Sequence, residues 1–285
     1  SGKFHTKTEN TMFKQFFLFA GLMFFIAACG NQGGEQSDDM SQFAEDSSFQ
    51  EAHPTPDEVD FQPRGERIEF DTPDGKTASA YALMSEEPSQ DYILVIHEWW
   101  GLNDQIKMES ERLFDSLMNV NVLALDMYDG KVTDDQEKAG EYMQAMSEGR
   151  GKAIINGALA YAGEDADIGT IGWCFGGGWS LRASIMAGDR GEACVMYYGM
   201  PVQEAQALAP LEAPILGIFA EQDGWITPEV ANDFEDLAEA TVTEITIHQF
   251  DADHAFANPS NPAYDREATQ EARELTLAFF REHLK

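Results

Sequence analysis

Cysteine is scarce in this chain, and cationic side chains are far outnumbered by anionic ones. The three cysteines among 285 residues are Cys29, Cys174 and Cys194. They share no metal-ligand spacing and form no disulfide framework. Lysine and arginine number 18 against 51 aspartates and glutamates, a formal net charge of −33. A field of that sign repels phosphate backbones and argues against a nucleic-acid partner. It also disfavours anionic substrates to the extent that salt leaves it unscreened. Its simplest meaning is a solvated acidic surface, and a saline habitat is the sharper one. Nucleotide-cradling loops are missing too: neither G-x-G-x-x-G nor G-x-x-x-x-G-K-[ST] occurs. No internal repeat and no second folded domain can be marked out.

The apolar run at residues 16–28 is too short to span a bilayer comfortably and has the length of a signal h-region, with Lys14 as its basic flank. It ends in Ile26-Ala27-Ala28-Cys29, which is similar to the box of bacterial lipoprotein signals. The small residues admit a peptidase, and the thiol takes the lipid. Residues 1–11 precede Met12 and read as an upstream extension. The expected organisation is therefore an extension and signal at 1–28, a lipidated Cys29 with an acidic tether at 29–63, and one folded domain at 64–285. Gly, Gln, Ser, Asp, Glu and Pro dominate the tether, a composition that reads as flexible. The expected location is the bacterial cell envelope, periplasmic or surface, with attachment through the lipid alone.

From Arg64 onward, short apolar runs alternate with helical patterns. The strands are expected at 66–72, 76–84, 92–97, 120–126, 168–173, 193–199, 214–220 and 243–250. The first two are joined by the turn Pro73-Asp74-Gly75. Helices are expected at 104–118, 134–147, 152–162, 176–187, 228–239 and 263–283. This alternation predicts an α/β fold, a mostly parallel sheet with helices on both faces.

Reactive groups in such sheets gather at the carboxyl ends of the strands. Cys174 stands where a strand stops and a helix starts, with Gly172 and Gly176 flanking it as G-x-C-x-G. The small neighbours permit the sharp turn of a nucleophile elbow, and the helix start favours a thiolate. A lone buried cysteine is usually inert packing, and Cys194, inside an apolar strand, is read that way. Two later residues set Cys174 apart. Asp223 follows one strand and His254 the next, in the chain order nucleophile, acid, base. The segment His97-Glu98-Trp99-Trp100-Gly101 follows another strand, where this architecture supplies an oxyanion amide. Trp99 and Phe175 are the expected donors, and His97 is expected to be structural.

These segments, HEWWG, GWCFGGG, YYG, EQDGWITP and DADHAFAN, together resemble the dienelactone hydrolase family across residues 64–285. The resemblance implies an α/β-hydrolase fold and a Cys174–His254–Asp223 triad. It implies that Glu98 contacts the resting thiol and moves aside when substrate binds, helping to produce the thiolate. It implies ester or lactone hydrolysis through a thioester, with a small-molecule substrate and with no metal or cofactor. The family's dienelactone enzymes hold a substrate carboxylate with two arginines. Asn258 stands at one position and Gln136, near Lys138, approximates the other. A less anionic substrate is therefore expected, in a pocket lined by Trp100, Tyr198, Phe256 and Asn258; Trp173 is expected to be core. The alternatives are a non-catalytic envelope lipoprotein that binds through the same fold, and a thioesterase or acyltransferase with the same triad. Oligomeric state is open.

Overall fold

The computed structural model describes residues 39–241 and 244–284. Its centre is an eight-stranded sheet in the order β1-β2-β4-β3-β5-β6-β7-β8. The strands are β1 (Glu66–Asp71), β2 (Thr77–Leu83), β3 (Asp91–Ile96), β4 (Asn121–Leu125), β5 (Asp167–Trp173), β6 (Gly191–Tyr197), β7 (Ile215–Ala220) and β8 (Ile245–Phe250). β2 is antiparallel to both β1 and β4, and every later pairing is parallel. The runs in β3 to β7 are apolar on both faces because helices cover both.

The larger helices are α2 (Asp104–Leu117), α3 (Gln136–Ala145), α4 (Glu148–Ala162), α5 (Phe175–Ala187), α7 (Pro228–Ala240) and α8 (Arg266–His283). Two shorter ones are α1 (Ser47–Ala52) and α6 (Ala205–Leu208). Side-chain oxygens of Asn103, Asp135, Ser147, Thr227 and Asp265 cap α2, α3, α4, α7 and α8. All eight expected strands and all six expected helices are present, with ends shifted by a few residues. Among the described residues no helix is long and apolar enough to cross a membrane.

One expectation is corrected. The segment from residue 39 onward is not simply a free tether. A single 3-10 turn at Met40–Phe43 and α1 fold against the sheet's functional edge, capped by Asp39 and Asp46. Met40, Ala44 and Phe49 are buried, as is His53. Averaged composition conceals this, because a few apolar side chains among polar ones suffice when they bury together. The signal segment and Cys29 lie outside the described residues.

The chain leaves β3 for β4 on one side, then returns past β3 to β5 on the other. That reversal opens a crevice at the carboxyl ends of β3 and β5, where such sheets place ligands. In-register pairs Ile96↔Gly172 and Trp173↔Tyr197 set the segments beginning at His97, Cys174 and Tyr198 side by side.

Candidate active site

Cys174 follows β5 with φ 54 and ψ −117, a conformation that L-residues other than glycine seldom adopt. Its N–H donates to the Tyr197 carbonyl at 3.0 Å, and its carbonyl accepts from Gly177 N–H at 3.0 Å. The turn is tight enough that a Cβ on Gly172 would strike the Gly176 carbonyl. One on Gly176 would strike the carbonyls of Ile96 and His97. The two glycines around the cysteine are therefore steric necessities of the elbow. Cys174 shares a positive φ with neighbouring Tyr198, and a strained strand-to-helix turn of this kind is the geometry of a nucleophile elbow.

His254 and Asp223 come to the same place from the loops after β8 and β7. His254 Nδ1 lies 2.5 Å from Asp223 Oδ2. The carboxylate accepts, so Nδ1 carries the proton and Nε2 is left for the thiol. Asp223 Oδ1 accepts from the N–H groups of Trp225 at 2.8 Å and Ile226 at 2.9 Å, which fixes the carboxylate in turn. Burial disfavours the charged His254 ring, but the Asp223 carboxylate and the Cys174 thiol outweigh it and push its pKa up to about 10. Burial pushes the Cys174 thiol up; His254 and the Phe175 amide pull it down, and Glu98 adds to the rise. Cys174, His254 and Asp223 thus form one buried array.

Glu98 lies beside it. Asn258 Nδ2 donates to Glu98 Oε2 at 2.7 Å. Burial pushes Glu98 up to about 7, against the opposing pulls of His254 and Asn258. Glu98, Tyr198 and Asn258 line a cavity of about 300 Å³ that continues to Ile171, Trp173 and Arg273. Trp173 is thus more than the packing residue expected of it, since it forms part of this cavity's wall. The Arg273 guanidinium is held by Glu109 at 2.7 Å.

The remaining expected residues divide by location. The Tyr198 ring lies 5.0 Å from His254 and 5.6 Å from Phe256. Trp99 and Trp100 are buried against each other, 4.7 Å between rings. Phe175 opens α5 beside the thiol, its ring 5.9 Å from His97. His97 is structural: its Nε2 accepts from Met127 N–H at 3.2 Å and its Nδ1 donates to the Glu98 carbonyl at 2.6 Å. Burial lowers its pKa to about 4.

Two residues at this site went unforeseen. Phe49 of α1 stands edge-on to Trp99 at 5.2 Å, Trp225 at 5.3 Å and His254 at 5.9 Å. His53, just after α1, stacks on Phe49 at 4.2 Å and meets His254 at 5.2 Å. Burial, helped by the His254 charge, lowers the His53 pKa to about 3, so its ring is neutral. Gln136 Nε2 clamps this segment by donating to the carbonyls of Gln50 at 2.6 Å and His53 at 2.8 Å. Cys174, His254 and Asp223 are buried beside it. The available sequence signal was Phe43, Phe49 and His53 standing within an otherwise polar stretch.

Comparison with known proteins identifies the family and the fold. The model of the dienelactone hydrolase family matches residues 78–284. The chain is 29% identical to Protein usf of Aquifex pyrophilus over 204 residues, 67% of this chain and 88% of that one. It is 31% identical to a carboxymethylenebutenolidase of a Pseudomonas species over 132 residues, 45% of this chain and 54% of that one. Among solved structures it is similar to a dienelactone hydrolase-like promiscuous phosphotriesterase from metagenomic libraries, with TM-score 0.67, 21% identity and coverage of 77% and 99%. It is likewise similar to the dienelactone hydrolase of Anabaena variabilis, with TM-score 0.59, 17% identity and coverage of 79% and 100%. At these identities the structural likeness concerns the fold.

Proposed function

Because this chain belongs to the dienelactone hydrolase family, we propose that it hydrolyses carboxylic esters or lactones through a Cys174–His254–Asp223 triad and a thioester acyl-enzyme. The observation that carries the reading is the hydrogen-bonded His254–Asp223 pair facing a strained elbow cysteine. Cys174 attacks the substrate carbonyl while His254 Nε2 holds the thiol proton and returns it to the leaving alkoxide. Water then attacks the thioester with His254 as base. Asp223 keeps Nδ1 protonated, so that Nε2 is the nitrogen that works. The backbone amides of Trp99 and Phe175 hold the developing oxyanion. Glu98, ionising near neutrality beside the site, biases the resting thiol towards its neutral form.

The substrate is less anionic than a dienelactone. At the two positions where the family's dienelactone enzymes carry arginines stand Gln136 and Asn258. Here each makes an internal bond, Gln136 to the α1 segment and Asn258 to Glu98. With a net charge of −33 on the whole chain, an uncharged acyl group in the cavity beside Glu98 suits these surroundings better. Anchoring through a lipid on Cys29, in the bacterial envelope, belongs to the same proposal and rests on the Ile26-Ala27-Ala28-Cys29 box.

Parallel assays of a neutral aryl ester and a dienelactone, with wild type and Cys174→Ala, test the reading. The expected outcome is turnover that favours the neutral ester and falls at least about a thousandfold in the variant. Equal turnover in the variant would refute the triad.

A further inference from the structure

The geometry points to a binding site for a borderline-soft divalent cation of the zinc type, formed by His53, Cys174 and His254, at which the nucleophile is held inactive. The inference rests on Cys174 and His254 being the catalytic pair. It adds a ligand from a segment outside the family match, which begins at residue 78.

Cys174 Sγ and one ring nitrogen from each histidine lie within 4.8 Å of one another, and all three residues are buried. The usable nitrogens are identified by what the others do. His53 Nδ1 is 2.7 Å from the Phe49 carbonyl, and His254 Nδ1 is 2.5 Å from Asp223 Oδ2. In both rings Nε2 remains, and neither Nε2 has a hydrogen-bond partner among the described residues. His254 Nε2 faces the Cys174 thiol, but His53 Nε2 is a buried imidazole nitrogen with no protein partner, which is costly in a purely structural arrangement.

The same pattern is what a metal ligand needs. A ligating histidine usually donates its second N–H to a carboxylate or a backbone carbonyl, which fixes the tautomer and aims the free nitrogen. His254 has the carboxylate and His53 the carbonyl. Two imidazoles and a thiolate match zinc and its borderline neighbours and are poor ligands for magnesium or calcium, which prefer oxygen. Three protein ligands leave a fourth tetrahedral position to water. Zinc–nitrogen and zinc–sulfur bonds of roughly 2.0–2.3 Å place ligand atoms about 3.5 Å apart, so the trio must contract by about 1 Å. The short α1 segment that carries His53 can supply that movement.

Binding balances simply. The cation takes the Cys174 thiolate and two neutral imidazoles, and the one proton shared by the Cys174–His254 pair leaves to solvent. The sulfur electron pair is then committed to the metal, and His254 Nε2 can no longer accept a proton. Hydrolysis stops, and the α1 segment is tied over the site by its own histidine.

Zinc is titrated into the full chain carrying Cys29→Ser, in competition with a chromophoric chelator, and cobalt serves as a coloured probe. The expected result is one zinc per chain, one proton released and a thiolate-to-cobalt charge-transfer band. Affinity should fall at least tenfold in His53→Phe, which keeps the ring stacking, and in Cys174→Ala, which also loses the band. Zinc should inhibit ester hydrolysis, and a chelator should restore it. No stoichiometric zinc binding, or equal affinity in His53→Phe, overturns the site. Hydrolysis that depends on Cys174 in a chain that binds no zinc overturns this inference and leaves the catalytic reading intact. Zinc bound by the trio in a chain that hydrolyses no ester even without metal keeps the cation site but overturns the catalytic reading and, with it, the inhibitory role.

Discussion

Glu98 is a buried carboxyl whose burial has a pH-dependent energetic consequence. In the folded chain burial raises its pKa to about 7 from 4.5. The folded state therefore keeps a proton that the unfolded state releases above about 4.5, and stability falls as pH rises from there to about 7. At 1.36 kcal/mol per unit, the full penalty above pH 7 is about 3 kcal/mol. Glu98→Gln removes the charge and can still accept from Asn258. Its stability relative to wild type, measured by denaturant unfolding, should grow between pH 4.5 and 7 and then level off. A pH-independent difference would show that Glu98 is not a buried carboxyl of this kind. The elbow offers a second check at this scale. Gly176→Ala places a methyl against the Ile96 and His97 carbonyls, and it should abolish activity and lower stability by several kcal/mol. Unchanged activity would contradict the tight turn. Cys174, Asp223 and His254 were legible from sequence because each follows an apolar strand run and small residues flank the thiol. The Asn258–Glu98 bond was not, since two polar loop residues 160 positions apart leave no periodic trace.

At the scale of elements, the strands and long helices were readable because continuous apolar runs and 3.6-residue patterns are repeated over many positions. The α1 segment has too few residues to show a period, and its polar composition points to a tether. Its burial depends on partners supplied by distant loops: Trp99, Trp225, His254 and the Gln136 amide. Cys174 is buried beside this packing, so loosening it should expose the thiol. In a Cys29→Ser background, Phe49→Ala should raise the alkylation rate of Cys174 by at least about tenfold, because the variant removes ring packing worth roughly 3–5 kcal/mol. Cys194, buried in β6, is the internal control and should remain slow. Equal Cys174 rates in both chains would mean that α1 does not govern access.

The molecule as a whole carries 51 acidic against 18 basic side chains. Their mutual repulsion opposes the compact state and is screened as the Debye length shortens from about 10 Å at 0.1 M salt to about 3 Å at 1 M. Thermal unfolding should therefore shift upward by several degrees between low and molar sodium chloride, and a flat or falling Tm would contradict net repulsion. The charge balance was plain from composition; its coexistence with a buried Cys174, His254 and Asp223 was not, because that burial comes from three-dimensional packing in which Phe49 and His53 take part. The account turns on the Cys174 sulfur forming a bond to substrate. The most direct measurement is peptide mapping by mass spectrometry after rapid acid quenching of the chain with an excess of a neutral aryl ester. An acyl group on the peptide containing Cys174, accumulating in wild type and absent from Cys174→Ala, is the predicted result. Turnover with no acyl adduct at Cys174, or with the adduct on another residue, would contradict it.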